Sequence, residues 1–222
     1  MNVAIPREAA EPPHDCALCP RLHGFIAEWR AKEPAWFNAP VPTFSPPSQD
    51  PEVRLLVVGL APGLRGANRT GRPFTGDYAG DLLYKTLGTF GFARGEFRAR
   101  PDDGLELVGT AITNAVRCVP PGNKPESSEI NTCRGFLSAT IERFPNLRAI
   151  VTLGVIAHQS TIRALGGRVA AHPFRHGAVT GIAGLNVFSS YHCSRYNTNT
   201  GVLTDEMFTA VFADVARTLE AD

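Results

Sequence analysis

Four short runs along the chain, 54–59, 110–116, 147–154 and 185–191, are mostly apolar and rich in β-branched residues. They lack the strict polar alternation of a half-solvated strand and predict strands buried on both faces. The intervening stretches 81–90, 127–144 and 157–165, and a last one over 205–219, carry apolar positions at helical spacing and predict amphipathic helices. Ser127 and Ser128 ahead of Glu129, and Thr204 ahead of Asp205 and Glu206, offer N-cap candidates followed by acids suited to the positive end of a helix dipole. Strands alternating with helices predict an α/β chain with a parallel sheet covered on both sides. The proline-rich stretch 33–51 has no helical period and reads as an extended connector between an N-terminal arm and the first strand.

A length of 222 residues suits one α/β domain with a sizeable core, so 1–222 reads as a single domain. The 21 glycines and 18 prolines predict many connections of defined shape, hence a loop-rich surface. No apolar span approaches membrane length, and residues 1–8 lack the apolar core of a signal peptide, so the expectation is a cytoplasmic protein without a membrane partner. Net charge is only +1, yet its distribution is uneven. Between Arg143 and Thr204 there is no Asp or Glu, while Arg143, Arg148, Arg163, Arg168, Arg175 and Arg195 are all present. That segregation predicts an electropositive face and makes nucleic acid a plausible partner.

The cysteines add a second pattern. Cys16 and Cys19 form a CxxC pair, with Cys118 and Cys133 far downstream, and Cys193 stands apart. A close pair with two distant partners in a cytoplasmic chain points to a metal site more than to disulfides, and the spacing alone leaves zinc and iron-sulfur both open. Either group would clip the N-terminal arm to the central domain.

Candidate chemistry gathers where strands end. The first strand empties into Gly59-Leu60-Ala61-Pro62-Gly63 and then a loop that carries Arg65, Arg69 and Arg72 before it closes on Phe74 and Asp77. Glycines let backbone approach a ligand, and three cations precede the first acid. The second strand exit holds Thr113-Asn114-Ala115-Val116-Arg117-Cys118, where the Asn114 amide offers both a donor and an acceptor. The last exit starts at His192 and runs to Gly201. In a parallel sheet these exits share the carboxyl edge, where open α/β sheets keep their ligand sites.

Taken together, these segments, in this order and with this cysteine spacing, resemble the uracil-DNA glycosylase superfamily, specifically its fifth, iron-sulfur B-type family. The resemblance spans 16–204. It implies a three-layer α/β/α sandwich with a mainly parallel central sheet, a structural 4Fe-4S cluster on Cys16, Cys19, Cys118 and Cys133, and hydrolysis of the N-glycosidic bond of uracil and other damaged bases in DNA. It also implies that the target nucleotide is flipped into a pocket, since its glycosidic carbon is inaccessible within the stack. Phe74 would stack on the base and Asn114 would bond its Watson-Crick edge. The Leu60, Ala61, Pro62 and Gly63 segment would border the base.

Glycosidic cleavage creates an anionic leaving base and a cationic sugar, and both charges need stabilisation. The resemblance gives His192 the base side and Asp77 the sugar side, with Asn114 assisting. Related families place an acid at a position corresponding to Leu60 or Ala61; both are apolar here, which shifts the burden to Asp77. Asp81 reads instead as the start of a helix. Arg65, Arg69 and Arg72, together with Ser194, Arg195, Tyr196, Asn197 and Asn199, are expected at the DNA. Cys193 and Tyr196 depart from the family pattern, in which Pro or Val and Gln are common. The alternative is a lesion sensor that binds without catalysis, and the expected assembly is a monomer.

Overall fold

The computed structural model describes residues 10–46 and 50–221. Residues 1–8, read above for a leader, and 47–49 of the connector lie outside them. In chain order the regular elements are α1 (Pro20–Lys32), β1 (Leu55–Gly59), α2 (Ala67–Thr70), α3 (Tyr78–Thr89), β2 (Ala93–Arg94), β3 (Glu106–Leu107), β4 (Thr110–Asn114), α4 (Ser127–Arg143), β5 (Ala149–Leu153), α5 (Val155–Ala164), β6 (Val179–Ile182), β7 (Leu185–Ser190), α6 (Arg195–Asn199) and α7 (Asp205–Glu220).

The four predicted strands become β1, β4, β5 and β7, which pair in parallel in the order β4-β1-β5-β7. Their side chains alternate between two cores, as the two-residue period of a strand requires. Leu55, Val57, Ile112, Val151 and Phe188 face one core with Leu83 and Leu87 of α3 and Phe208, Phe212 and Val215 of α7. Leu56, Val58, Ala111, Ile150 and Val187 face the other with Leu137 and Ile141 of α4 and Ala157 of α5. Both faces are thus covered, which explains why these strands read as continuous apolar runs. The architecture is a three-layer α/β/α sandwich. Among the described residues, no helix is long and apolar enough to cross a membrane.

Several elements differ from the sequence expectation. β6 adds an antiparallel edge to β7. Its connection, Ala183 and Gly184, takes positive φ at both positions, 50° and 78°, as a two-residue hairpin turn requires. With alanine rather than Asn or Asp in that turn, and glycine inside the strand, the hairpin signal is weak. The arm contains α1, which starts at Pro20 and ends near Arg30 and Lys32, cap chemistry suited to both ends of a helix. α3 starts three residues earlier than predicted, so Asp77 occupies its N-cap position and Asp81 its exposed first turn. α4 is entered through Glu126, whose N–H donates to Glu129 Oε2 at 2.7 Å, rather than through the two serines. Thr204 caps α7 as expected, accepting from the Met207 N–H at 3.2 Å.

Candidate active site

The exits of β1, β4 and β7 meet at the carboxyl edge of the sheet around a cleft of about 690 Å³. Leu60, Ala61, Pro62 and Gly63 line it from the first exit, Phe74 and Asp77 from the end of the glycine loop, Asn114 from the last position of β4, and His192 from just beyond β7. Every residue predicted to hold or attack a base therefore borders one space. Tyr78, Leu64 and Asn123 border it as well and were not read from the sequence. Tyr78 was missed because the helix it starts was placed three residues late.

Close backbone approach shapes this space. A Cβ at Gly59 would overlap Asn114 Oδ1 and the Phe74 ring, so only glycine lets these two groups converge over the end of β1. A Cβ at Gly66 would likewise overlap the Asp77 carboxylate. Phe74 is held at φ 52°, a strained value for a residue with a side chain, and its ring stacks with His192 at a centroid distance of 6.0 Å. Tyr84 helps to hold that conformation by donating its hydroxyl to Pro73 O at 2.7 Å.

Asp77 and His192 are both partly buried in the wall of the cleft. Asp77 sits at the N-cap of α3 with the Ala79 and Gly80 amides close to its carboxylate, while its Oδ1 is buried with no hydrogen-bond partner among the described residues. Burial pushes its carboxyl above the usual range; the amides of Ala79 and Gly80 pull it back, and the charge of Asp81 adds to the rise. Burial also lowers the His192 pKa to about 4, so the imidazole is neutral at physiological pH and carries one N–H donor. Asn197 fixes the loop beneath it, its Nδ2 donating to His192 O at 2.8 Å. The cleft thus offers an unpartnered carboxylate oxygen, a neutral donor, an amide and an aromatic face.

The sequence pattern of the Uracil DNA glycosylase superfamily matches residues 46–216. The chain belongs to that superfamily. It is 44% identical over 209 residues to a type-5 uracil-DNA glycosylase of Thermus thermophilus, covering 91% of this chain and 93% of the relative. Type-5 uracil-DNA glycosylases of Pyrobaculum aerophilum and Mycobacterium leprae are each 40% identical, covering 94% and 91% of this chain and 89% and 90% of theirs.

The cationic residues of this glycosylase-superfamily chain divide between surface and interior. Arg65 and Arg195 are exposed and line the cleft, Arg69 is exposed beside it, and Tyr196 is 75% exposed. Asn199 is exposed on α6, whereas Ser194 borders the cleft and its Oγ accepts from the Asn197 N–H at the start of α6. Asn197, expected at DNA, spends its amide on His192 O. Arg72 is a correction: it is buried, donates twice to the Asp103 carboxylate at 2.7 Å, and lies over the rings of Phe44, Tyr84 and Phe97. It braces the glycine loop from inside and has no free face for a phosphate. The acid-free tract is also less uniform than its sequence suggested. Arg143 pairs with Asp50 at 2.7 Å, and Arg148 precedes β5, at the edge of the sheet opposite the cleft.

Burial alone would raise the Asp103 carboxyl. The Arg72 hydrogen bonds and the amides of Arg98 and Leu105 outweigh it and hold the group well below the usual carboxylate range. A depressed carboxyl contributes stability that is full at neutral pH and is lost as pH falls through that range. Asp103→Asn leaves the Arg72 cation buried without its partner and is expected to cost about 3–5 kcal/mol in denaturant unfolding at neutral pH, with a smaller deficit in acid.

The four predicted ligands come together elsewhere. Cys16, Cys19, Cys118 and Cys133 line one small cavity between the start of α1, the segment after β4, and α4. All four are free thiols, and Cys118 and Cys133 are buried among Leu22, Ile26, Val116 and Phe136. The Arg117 N–H donates to Cys133 Sγ at 3.2 Å. Among the described residues no group of three or more His, Cys, Asp or Glu is spaced to hold a metal ion. Cys193 lies in a different core, its thiol donating to Ala79 O at 3.4 Å.

Proposed function

We propose that this protein removes uracil from DNA by hydrolysing the N-glycosidic bond, the first chemical step of base excision repair. The observation that carries the reading is the convergence of the Asp77 carboxylate, the neutral His192 imidazole, Asn114 and Phe74 on one cleft in a chain of the uracil-DNA glycosylase superfamily. A flipped base would lie against Phe74 and exchange hydrogen bonds with the Asn114 amide. As the bond between C1′ and the base nitrogen breaks, the electron pair leaves with the base, and the His192 N–H stabilises the anion that forms. The Asp77 carboxylate faces the opposite charge on the sugar and orients the water whose oxygen bonds to C1′. The proton released by that water balances the departing anion.

The Asn114 amide carries both a donor and an acceptor, which extends the expected substrates to other deaminated bases. The protein is expected to act as a monomer, and five free cysteines suit a cytoplasmic protein. We infer further that Cys16, Cys19, Cys118 and Cys133 hold a 4Fe-4S cluster, supported by four thiols around one cavity. Each thiolate of such a cube binds a different iron, so donor spacing for a single ion is not required. When bound, the cluster would supply a cross-link between arm and domain, with no part in the reaction.

Incubating the protein with duplex DNA that contains one uracil tests the main reading. Free uracil and an alkali-labile abasic site are expected. DNA binding without base release would favour the lesion sensor.

A further inference from the structure

At the mouth of the cleft, two side chains without an assigned task in catalysis stand together. Tyr78, the first residue of α3, follows Asp77 directly; Arg195, the first residue of α6, lies three residues beyond His192. Both line the cleft, and the Arg195 guanidinium carbon sits 5.1 Å from the centre of the Tyr78 ring. Their contact joins the wall that carries the carboxylate to the wall that carries the imidazole. Tyr78 is 39% exposed, so the pair meets solvent on its outer side.

Among the described residues no carboxylate pairs with Arg195. A guanidinium resting over an aromatic ring satisfies its charge against the ring's quadrupole while its N–H donors, which lie in the guanidinium plane, stay available. A planar fork held in this way suits two-point recognition of a phosphate. An arginine on an exposed five-residue helix would otherwise sample many rotamers.

We infer that Tyr78 is a positioning residue that pre-orders Arg195 to grip a backbone phosphate next to the nucleotide whose base enters the cleft. The inference rests on the glycosylase reading for the identity of that nucleotide. Its distinctive consequence is that an uncharged residue governs part of the salt dependence of binding. Each phosphate contact contributes a counterion-release increment to the slope of log K against log salt, so disordering Arg195 lowers the slope even when no charge is removed.

The test is a double-mutant cycle on binding to duplex DNA with an abasic-site analogue, run over a salt series and read without turnover. Arg195→Ala is expected to weaken binding about tenfold and reduce the slope by about one. Tyr78→Ala should weaken binding about threefold and also reduce the slope. The double variant should bind no more weakly than Arg195→Ala alone, and Tyr78→Phe, which keeps the ring, should restore binding and slope. On uracil-containing duplex the Tyr78→Ala defect should fall mainly on KM rather than kcat. Multiplicative effects in the cycle, an unchanged slope in Tyr78→Ala, or tighter binding on loss of the ring would each overturn the inference. Uracil release by the unmodified protein is measured in parallel. Its absence would remove the catalytic reading, while the binding cycle still decides the clamp.

Discussion

Asp77→Asn is expected to slow single-turnover uracil release tenfold or more, at least about 1.4 kcal/mol of transition-state stabilisation, while folding and DNA binding are retained. The substitution keeps the shape of the side chain and removes the charge that faces the sugar cation. It should not lower the melting temperature. A carboxyl whose pKa is higher in the fold than in the unfolded chain makes its ionised form a cost at neutral pH, and asparagine lacks that cost. A purely helix-capping Asp77 predicts the reverse pattern. In that case Asp77→Ala would lose about 1 kcal/mol of stability with the chemical rate intact. Asp81→Asn serves as the control, since Asp81 is exposed in the first turn of α3 and does not border the cleft. His192→Ala should also slow the chemical step, because it removes the donor that faces the departing base.

Cys118→Ala is expected to abolish incorporation of iron and sulfide and to cost about 4 kcal/mol or more of stability, the range in which loss of a metal ligand falls. The segment after β4 is the meeting point of the arm, through Cys16 and Cys19, with α4, through Cys133. Losing one bond there frees three distant pieces of chain. Cys193→Ala should leave iron, sulfide and visible absorbance unchanged, because its thiol lies in the core beside α3 and not in the four-cysteine cavity. Stoichiometric zinc without iron in anaerobically purified protein would contradict the cluster assignment.

The parallel sheet was legible because a strand buried on both faces leaves an unbroken apolar run, as in Leu55 to Val58. Helices with a strongly two-sided pattern, such as α7, were equally clear. Less was visible where local signals were weak: β6 is an edge strand with a glycine inside it, and its Ala183-Gly184 turn lacks the usual Asn or Asp. Residues that border the cleft could be read because glycines mark places where side chains crowd the backbone, as at Gly59 and Gly66. Fates of individual arginines could not. Arg69 and Arg72 are three residues apart in sequence, yet one is exposed on α2 and the other is locked to Asp103, and only the distant acid decides the difference. Asn197 followed the same rule: a polar residue just past a strand exit reads as a contact for a ligand until the fold supplies a backbone carbonyl, here His192 O.

The most direct test of the account is the pH dependence of single-turnover uracil release from duplex DNA, compared between the unmodified protein and Asp77→Asn. Because burial raises the Asp77 pKa, the carboxylate takes up a proton as pH falls through that raised value, and the rate of the unmodified protein should fall with it. His192, with its pKa lowered to about 4, stays neutral until the far acid end of the range. The account predicts that the acid limb disappears in Asp77→Asn, leaving a slow rate that is flat from neutral pH down to the His192 titration. An acid limb of the same midpoint in Asp77→Asn, or a near-normal neutral rate in that variant, would contradict the assignment of Asp77 as the catalytic carboxylate.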